Sequence, residues 1–148
     1  MDSQGVAPRI VVGVDGSPSS QAALRWAVRY AGLVGGRVEA VTAWDLPGAG
    51  TWSAPAVDAD FDEEEAERRL VEEVRTVLGE GASQVHQRLV RGNPAEVLVE
   101  QGQGADLIVV GSRGHGGFRR ALLGSVSQQV AQHAACPVTI VRPDAAPE

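Results

Sequence analysis

Residues 9–44 read RIVVGVDGSPSSQAALRWAVRYAGLVGGRVEAVTAW, and this stretch decides the fold. Arg9 to Asp15 is a short β-branched run closed by turn residues, which is how a strand buried on both faces reads. Ser17 is placed to cap the helix that follows, and Pro18 suits its first position. Ala23, Ala27, Tyr30, Ala31 and Val34 then recur at helical spacing, which predicts a helix over 18–34 with Trp26 on its inner stripe. Gly35 and Gly36 accept the left-handed geometry that ends a helix, and Arg37 to Trp44 reads as a second strand. The unit is βαβ.

Toward the C-terminus the alternation persists. Residues 45–57 hold Pro47, Gly48, Gly50 and Pro55 with little periodicity and predict a mobile, lid-like loop in which Trp52 is a candidate to stack on a base. Asp58 to Leu78 predicts a helix with the stripe Ala66, Leu70, Val74 and Val77. Its acids lead and its arginines follow, in keeping with the helix dipole, and its acid run reads as a solvated face. Strands at Gln84–Val90, Asp106–Val110 and Val138–Val141 and helices at Pro94–Gln101 and Ser125–Ala134 complete the pattern. Five strands alternating with helices predict an α/β domain: an open parallel five-stranded sheet with helices on both faces, because right-handed crossovers put them there. The strand order stays open. A topological switch between the first and fourth strands would create a ligand crevice at their carboxyl ends.

The chain of 148 residues fits one domain, 1–148, with flexible ends at 1–7 and 143–148. Cys136 is the sole cysteine and precedes Pro137 among apolar neighbours, so no intrachain disulfide forms and a buried, inert thiol is expected. No secretory leader and no membrane-length apolar run are evident, which points to the cytoplasm and away from a membrane. A formal charge of −6, with no basic stripe, argues against nucleic acid as a partner. All 13 basic residues are arginine. Without lysine there is no Walker-type phosphate loop and no Schiff-base chemistry.

The chemistry gathers after the fourth strand, in GSRGHGGFRRALLGSVSQQV, residues 111–130. Gly111, Gly114, Gly116, Gly117 and Gly124 fall within fourteen residues. Glycines let backbone amides converge on an anion, and Gly124-Ser125 brings the positive end of a helix to the same place. Arg113, Arg119 and Arg120 supply counter-charge. The competing reading is a plain flexible connection, since surface loops are often glycine-rich and polar.

Gly111-x-x-Gly114, nine further residues and then Gly124-Ser125 resemble the nucleotide-binding signature of universal stress proteins. The opening VVGVDGSPSSQAALRWAVRYA and the close ACPVTIVRP are similar to that family as well. The resemblance implies a flavodoxin-like, Rossmann-like sheet of order 3-2-1-4-5, an ATP ligand with Mg2+, and a homodimer through the fifth strand. It also implies a function: an ATP-binding stress-response sensor or partner-binding module, its protein partner unidentified. By the same likeness Gly13, Val14 and Asp15 border the adenosine, Ala43 touches adenine, and Val110 and Gly111 sit beside the ribose and phosphates. Gly114, Gly124, Ser125, Val126 and Ser127 then hold the phosphates, and Arg113, as counter-charge, is counted with the binding residues.

Asp15 is equally placed as a turn aspartate, and Ser125 as a simple helix cap. His86, His115 and His133 are too dispersed for a metal site, although His115 lies within the glycine loop. No convincing general base stands by the expected γ-phosphate, so hydrolysis should be slow or absent. Two rivals remain: a slow ATP-hydrolysing or nucleotidyl-transferring enzyme using His115 or Asp15, and a receiver-type switch phosphorylated on Asp15, which the missing lysine disfavours.

Overall fold

Ile10, Val11 and Val12 are all sealed from solvent, which demands a layer of structure both above and below their strand. The computed structural model supplies both layers. It describes residues 6–44, 59–113 and 123–143, except for the side chains of 59–62. In chain order these form β1 (Arg9–Gly13), α1 (Pro18–Val34), β2 (Arg37–Trp44), α2 (Ala59–Leu78), a 3-10 helix (Gly79–Gln84), β3 (Val85–Arg91), α3 (Pro94–Gln101), β4 (Leu107–Gly111), α4 (Ser125–His133) and β5 (Val138–Val141). The strands make one parallel sheet of order β3-β2-β1-β4-β5. This is the flavodoxin-like order. The chain turns back across β1 between β3 and β4, so β1 and β4 flank the switch point.

Because side chains alternate along a strand, successive residues serve opposite cores. Ile10, Val12 and Val14 join Ala23, Leu24 and Ala27 of α1 and Leu70 and Val74 of α2 on one face. Val11, Val41 and Ile108 join Ala95, Val97 and Leu98 of α3 and Val130 of α4 on the other.

The helix signals read from the sequence act as expected at α1. Ser17 Oγ accepts from Ser20 N–H, Pro18 takes the first turn, and Gly35 closes the helix at φ 69°. The inner stripe differs in detail. Leu24 is fully buried, Val34 is exposed, and Trp26 is half-buried, stacked on Tyr30 with ring centroids 5.1 Å apart. Asn93 caps α3 by accepting from the amides of Ala95 and Glu96. At α4 the cap position falls to Gly124, and Ser125 is the first helical residue instead of the cap.

The amino ends of the strands are closed by Arg9. Its guanidinium donates to Glu39 Oε2 at 3.0 Å and to the Gln101 carbonyl at 2.9 Å, while its main-chain N–H donates to Asp106 Oδ2 at 2.8 Å. Burial opposes ionisation of Glu39. The Arg9 hydrogen bond and charge, with Arg88 and His86 beyond, outweigh it and hold the Glu39 carboxyl below its usual range. Cys136 is half-buried, and burial together with the charge of Asp106 pushes its thiol up, away from thiolate reactivity. No described helix is long and apolar enough to cross a membrane.

Candidate functional site

At the carboxyl ends of β1, β2 and β4 lies a cavity of about 920 Å³. Of the residues singled out from the sequence, it is lined by Gly13, Val14, Asp15, Ala43, Val110, Gly111, Arg113, Val126 and Ser127. These come from both sides of the switch point and meet only because β1 and β4 are neighbours. Gly124 and Ser125 stand at the adjoining start of α4 and do not line the cavity. Gly114, His115, Arg119, Arg120, the loop 45–57 and Trp52 lie outside the described residues.

The floor is held rigid by hydrogen bonds that cross from strand to strand. Val14 N–H donates to the Val41 carbonyl at 2.9 Å, and Thr42 Oγ1 donates to the Val14 carbonyl at 2.9 Å. Asp15 Oδ1 accepts from Ser17 N–H at 2.9 Å and from Ser17 Oγ at 2.6 Å, while Asp15 N–H donates to Ser20 Oγ at 3.0 Å. Asp15 thus acts as a turn aspartate and faces the cavity at the same time; the two readings of it are compatible.

At the β4 exit the glycine cluster takes on a more specific meaning. A Cβ on Gly111 would stand 2.5 Å from Ser19 Oγ and 2.6 Å from the Ser19 carbonyl carbon, so the first glycine of the signature is needed for close approach of α1. Several amides near the turn already have protein partners. Ser112 N–H donates to the Val141 carbonyl at 2.8 Å, Gly124 N–H to the Ser112 carbonyl at 2.6 Å, and Arg113 N–H to Ser19 Oγ at 3.1 Å. Gly124 therefore closes the turn onto β4 and does not offer its amide to an anion. Ser127 Oγ is buried and lies 3.0 Å from the Gly124 carbonyl and 3.2 Å from the Ser112 carbonyl, so it braces the same closure. Gln128 N–H makes the first intrahelical bond of α4, to Gly124. The amides of Ser125, Val126 and Ser127 precede it in the first turn, where a helix leaves its N–H groups without i−4 carbonyls and carries its positive end.

One wall was not anticipated. Glu65, Arg69, Glu72, Glu73 and Thr76 of α2 line the cavity, so part of the supposedly solvated acid face looks onto the site. Glu65 is bridged to Arg68 at 2.7 Å and Arg69 at 3.0 Å, and these hydrogen bonds hold its carboxyl below the usual range. The i, i+4, i+7, i+8 and i+11 spacing of these five residues is the signal that could have placed them on one helix face. Trp44 stands at the same end, with the Arg91 guanidinium carbon 5.6 Å from its ring centroid. Among the described residues, no group of three His, Cys, Asp or Glu side chains could hold a metal ion.

A parallel α/β sheet of this order, with a cavity at its switch point, defines the flavodoxin-like class of α/β proteins. The model of the universal stress protein family matches residues 7–142, and the chain belongs to that family. A universal stress protein of Mycolicibacterium smegmatis is 40% identical over 141 residues, covering 90% of this chain and 45% of the relative; the chain thus spans about half the length of that relative. A universal stress protein crystallised in complex with cAMP is 30% identical with TM-score 0.71, covering 95% of this chain and 100% of that one. The universal stress protein from Archaeoglobus fulgidus in complex with dAMP is 27% identical with TM-score 0.64, covering 91% and 97%.

Proposed function

We propose that this chain binds ATP in the crevice at the β1 and β4 exits and acts as a cytoplasmic, nucleotide-dependent stress-response sensor or partner-binding module. The observation that carries this reading is the meeting of Gly13, Asp15, Ala43, Gly111, Arg113 and Val126 around one cavity. Two related universal stress proteins were crystallised with the adenine nucleotides cAMP and dAMP, which supports the ligand class.

In this reading Asp15 and Ala43 border the adenosine, and the phosphates run toward Arg113 and the first turn of α4. Gly114 completes the phosphate side by resemblance. Mg2+ would ride on the phosphate oxygens, because the described residues provide no acid cluster for it. Asp15 already accepts two hydrogen bonds from Ser17, which orients it as a binding acceptor more than as a base, in keeping with slow or absent hydrolysis. β5 is an edge strand of four half-buried residues, and pairing with its copy would form a two-fold dimer. A dimeric mass by light scattering at micromolar concentration is expected; a monomeric mass would contradict the pairing.

Thermal melting with ATP and Mg2+, AMP, cAMP, dAMP and GTP tests the ligand. At a hundredfold excess over its dissociation constant a ligand adds about 2.7 kcal/mol, so ATP should raise the melting temperature by roughly 5–10 °C. No rise with any adenine nucleotide at millimolar concentration overturns the reading.

A further inference from the structure

Ser19 is 2% exposed and does not line the crevice, yet it makes two hydrogen bonds to one residue that does. Its Oγ donates to the Arg113 carbonyl at 2.5 Å and accepts the Arg113 N–H at 3.1 Å, across 94 positions of sequence. A hydroxyl has one hydrogen and two lone pairs, so both bonds coexist. The main chain of Arg113 is therefore gripped on both its polar groups, much as a strand partner would grip it, at the point where the chain enters the glycine-rich turn.

The neighbouring serines carry the grip to the other side of the crevice. Ser17 Oγ donates to Asp15 Oδ1 at 2.6 Å and also lies 3.2 Å from the Arg113 carbonyl, and Ser20 Oγ accepts the Asp15 N–H at 3.0 Å, so among the described residues Ser19 alone holds the Arg113 N–H. Gly111 approaches so closely that a Cβ would also lie 2.7 Å from the Ser20 nitrogen. The first turn of α1 thus ties the β1 exit, at Asp15, to the β4 exit, at Gly111 and Arg113.

We infer that Ser19 is a positioning residue for the phosphate side of the crevice: by fixing the main chain of Arg113 it sets where the exit turn of β4 begins relative to Asp15. The inference rests on the nucleotide reading above. A purely structural serine would, on removal, lower stability and weaken all ligands of the site alike. A positioning serine weakens the phosphate-bearing ligand selectively, because adenosine carries no phosphate to place beyond Gly111, where the chain passes through Arg113.

The test is to measure dissociation constants for ATP with Mg2+ and for adenosine in the wild type, Ser19→Ala, Ser19→Thr and Val85→Ala. Val85 is a core residue at the start of β3, away from the crevice, and serves as a control for lost stability. Ser19→Ala should weaken ATP about tenfold and leave adenosine within about twofold, a selective loss of roughly 1.4 kcal/mol. Ser19→Thr, which keeps the hydroxyl, should restore the wild-type ratio, and Val85→Ala should melt earlier with that ratio unchanged. A wild type that binds ATP and a Ser19→Ala variant with an unaltered ATP-to-adenosine ratio overturn this inference alone. A wild type that binds neither ligand overturns the nucleotide reading and this inference with it. Hydrogen exchange in the wild type gives a reading independent of any variant's folding: the Arg113 amide should be protected although the residue is exposed, and free exchange there overturns the grip.

Discussion

The central strand β1 and its neighbour β4 carry the same four residues, Ile-Val-Val-Gly at 10–13 and again at 108–111, yet their two glycines serve opposite faces of the sheet. The register explains the difference. Ile10 pairs with Leu107 and Val12 with Val109, so the two copies are offset by one residue. With side chains alternating every residue, an offset of one sends equivalent letters to opposite sides. Gly13 makes room for α3, where an added Cβ would stand 2.8 Å from Leu98 Cδ1. Gly111 makes room for α1, where the obstacle is the main chain of Ser19 and Ser20 at 2.6 and 2.7 Å. A flexible leucine tip can move aside; a helix backbone held by a cap cannot.

Substitution at the two glycines should therefore differ in size. Gly111→Ala forces α1 away from β4 and should cost about 3 kcal/mol, a fall of roughly 6–12 °C in melting temperature, with loss of ATP binding. Next in size is the amino-terminal closure of β1, where Arg9 is paired with the buried Glu39. Glu39→Gln should cost roughly 2 kcal/mol near neutral pH by leaving Arg9 without its charge partner. Because the folded-state carboxyl of Glu39 is depressed below its ordinary 4.5, its stabilisation is complete above that value and is lost as pH falls through the lower folded value. Melting of wild type and Glu39→Gln should accordingly converge in acid; a gap that widens there would refute the assignment.

Smallest is Gly13→Ala, at about 1 kcal/mol, since Leu98 can rotate. A double-mutant cycle separates the glycines cleanly. In a Leu98→Ala background the cost of Gly13→Ala should vanish, whereas that of Gly111→Ala should stay. Equal costs in both backgrounds would show that the one-residue offset does not set the glycine requirement.

Much of this was legible in the residues. The β-branched runs and the Ser-Pro start at Ser17 place strands and helices within a residue or two, because a doubly covered sheet leaves unbroken apolar stretches. The strand order was not legible from pattern, since nothing in RIVVGVD states its neighbours; it came from the family resemblance. The 3-10 helix at Gly79–Gln84 falls where no element was read, and it takes Gln84 out of the strand expected over Gln84–Val90. The glycine turn was recognised, but Gly111 was read for its amide when the structure uses its missing side chain, and Gly124 gives its N–H to Ser112. The α2 wall escaped notice because Glu65, Glu72 and Glu73 look like any charged helix face until the sheet beneath them is placed. Tertiary placement, not local chemistry, decided each of these.

The central claim is that the two offset glycine exits open onto one adenine nucleotide site, and amide NMR during titration with ATP and Mg2+ tests it most directly. The amides of Gly13, Asp15, Ala43, Gly111 and Val126 should shift together and saturate at one ligand equivalent. Shifts gathered instead at the second, smaller cavity beside α3 and α4, around Arg91, Glu100 and His133, or no saturable shifts at all, would contradict it.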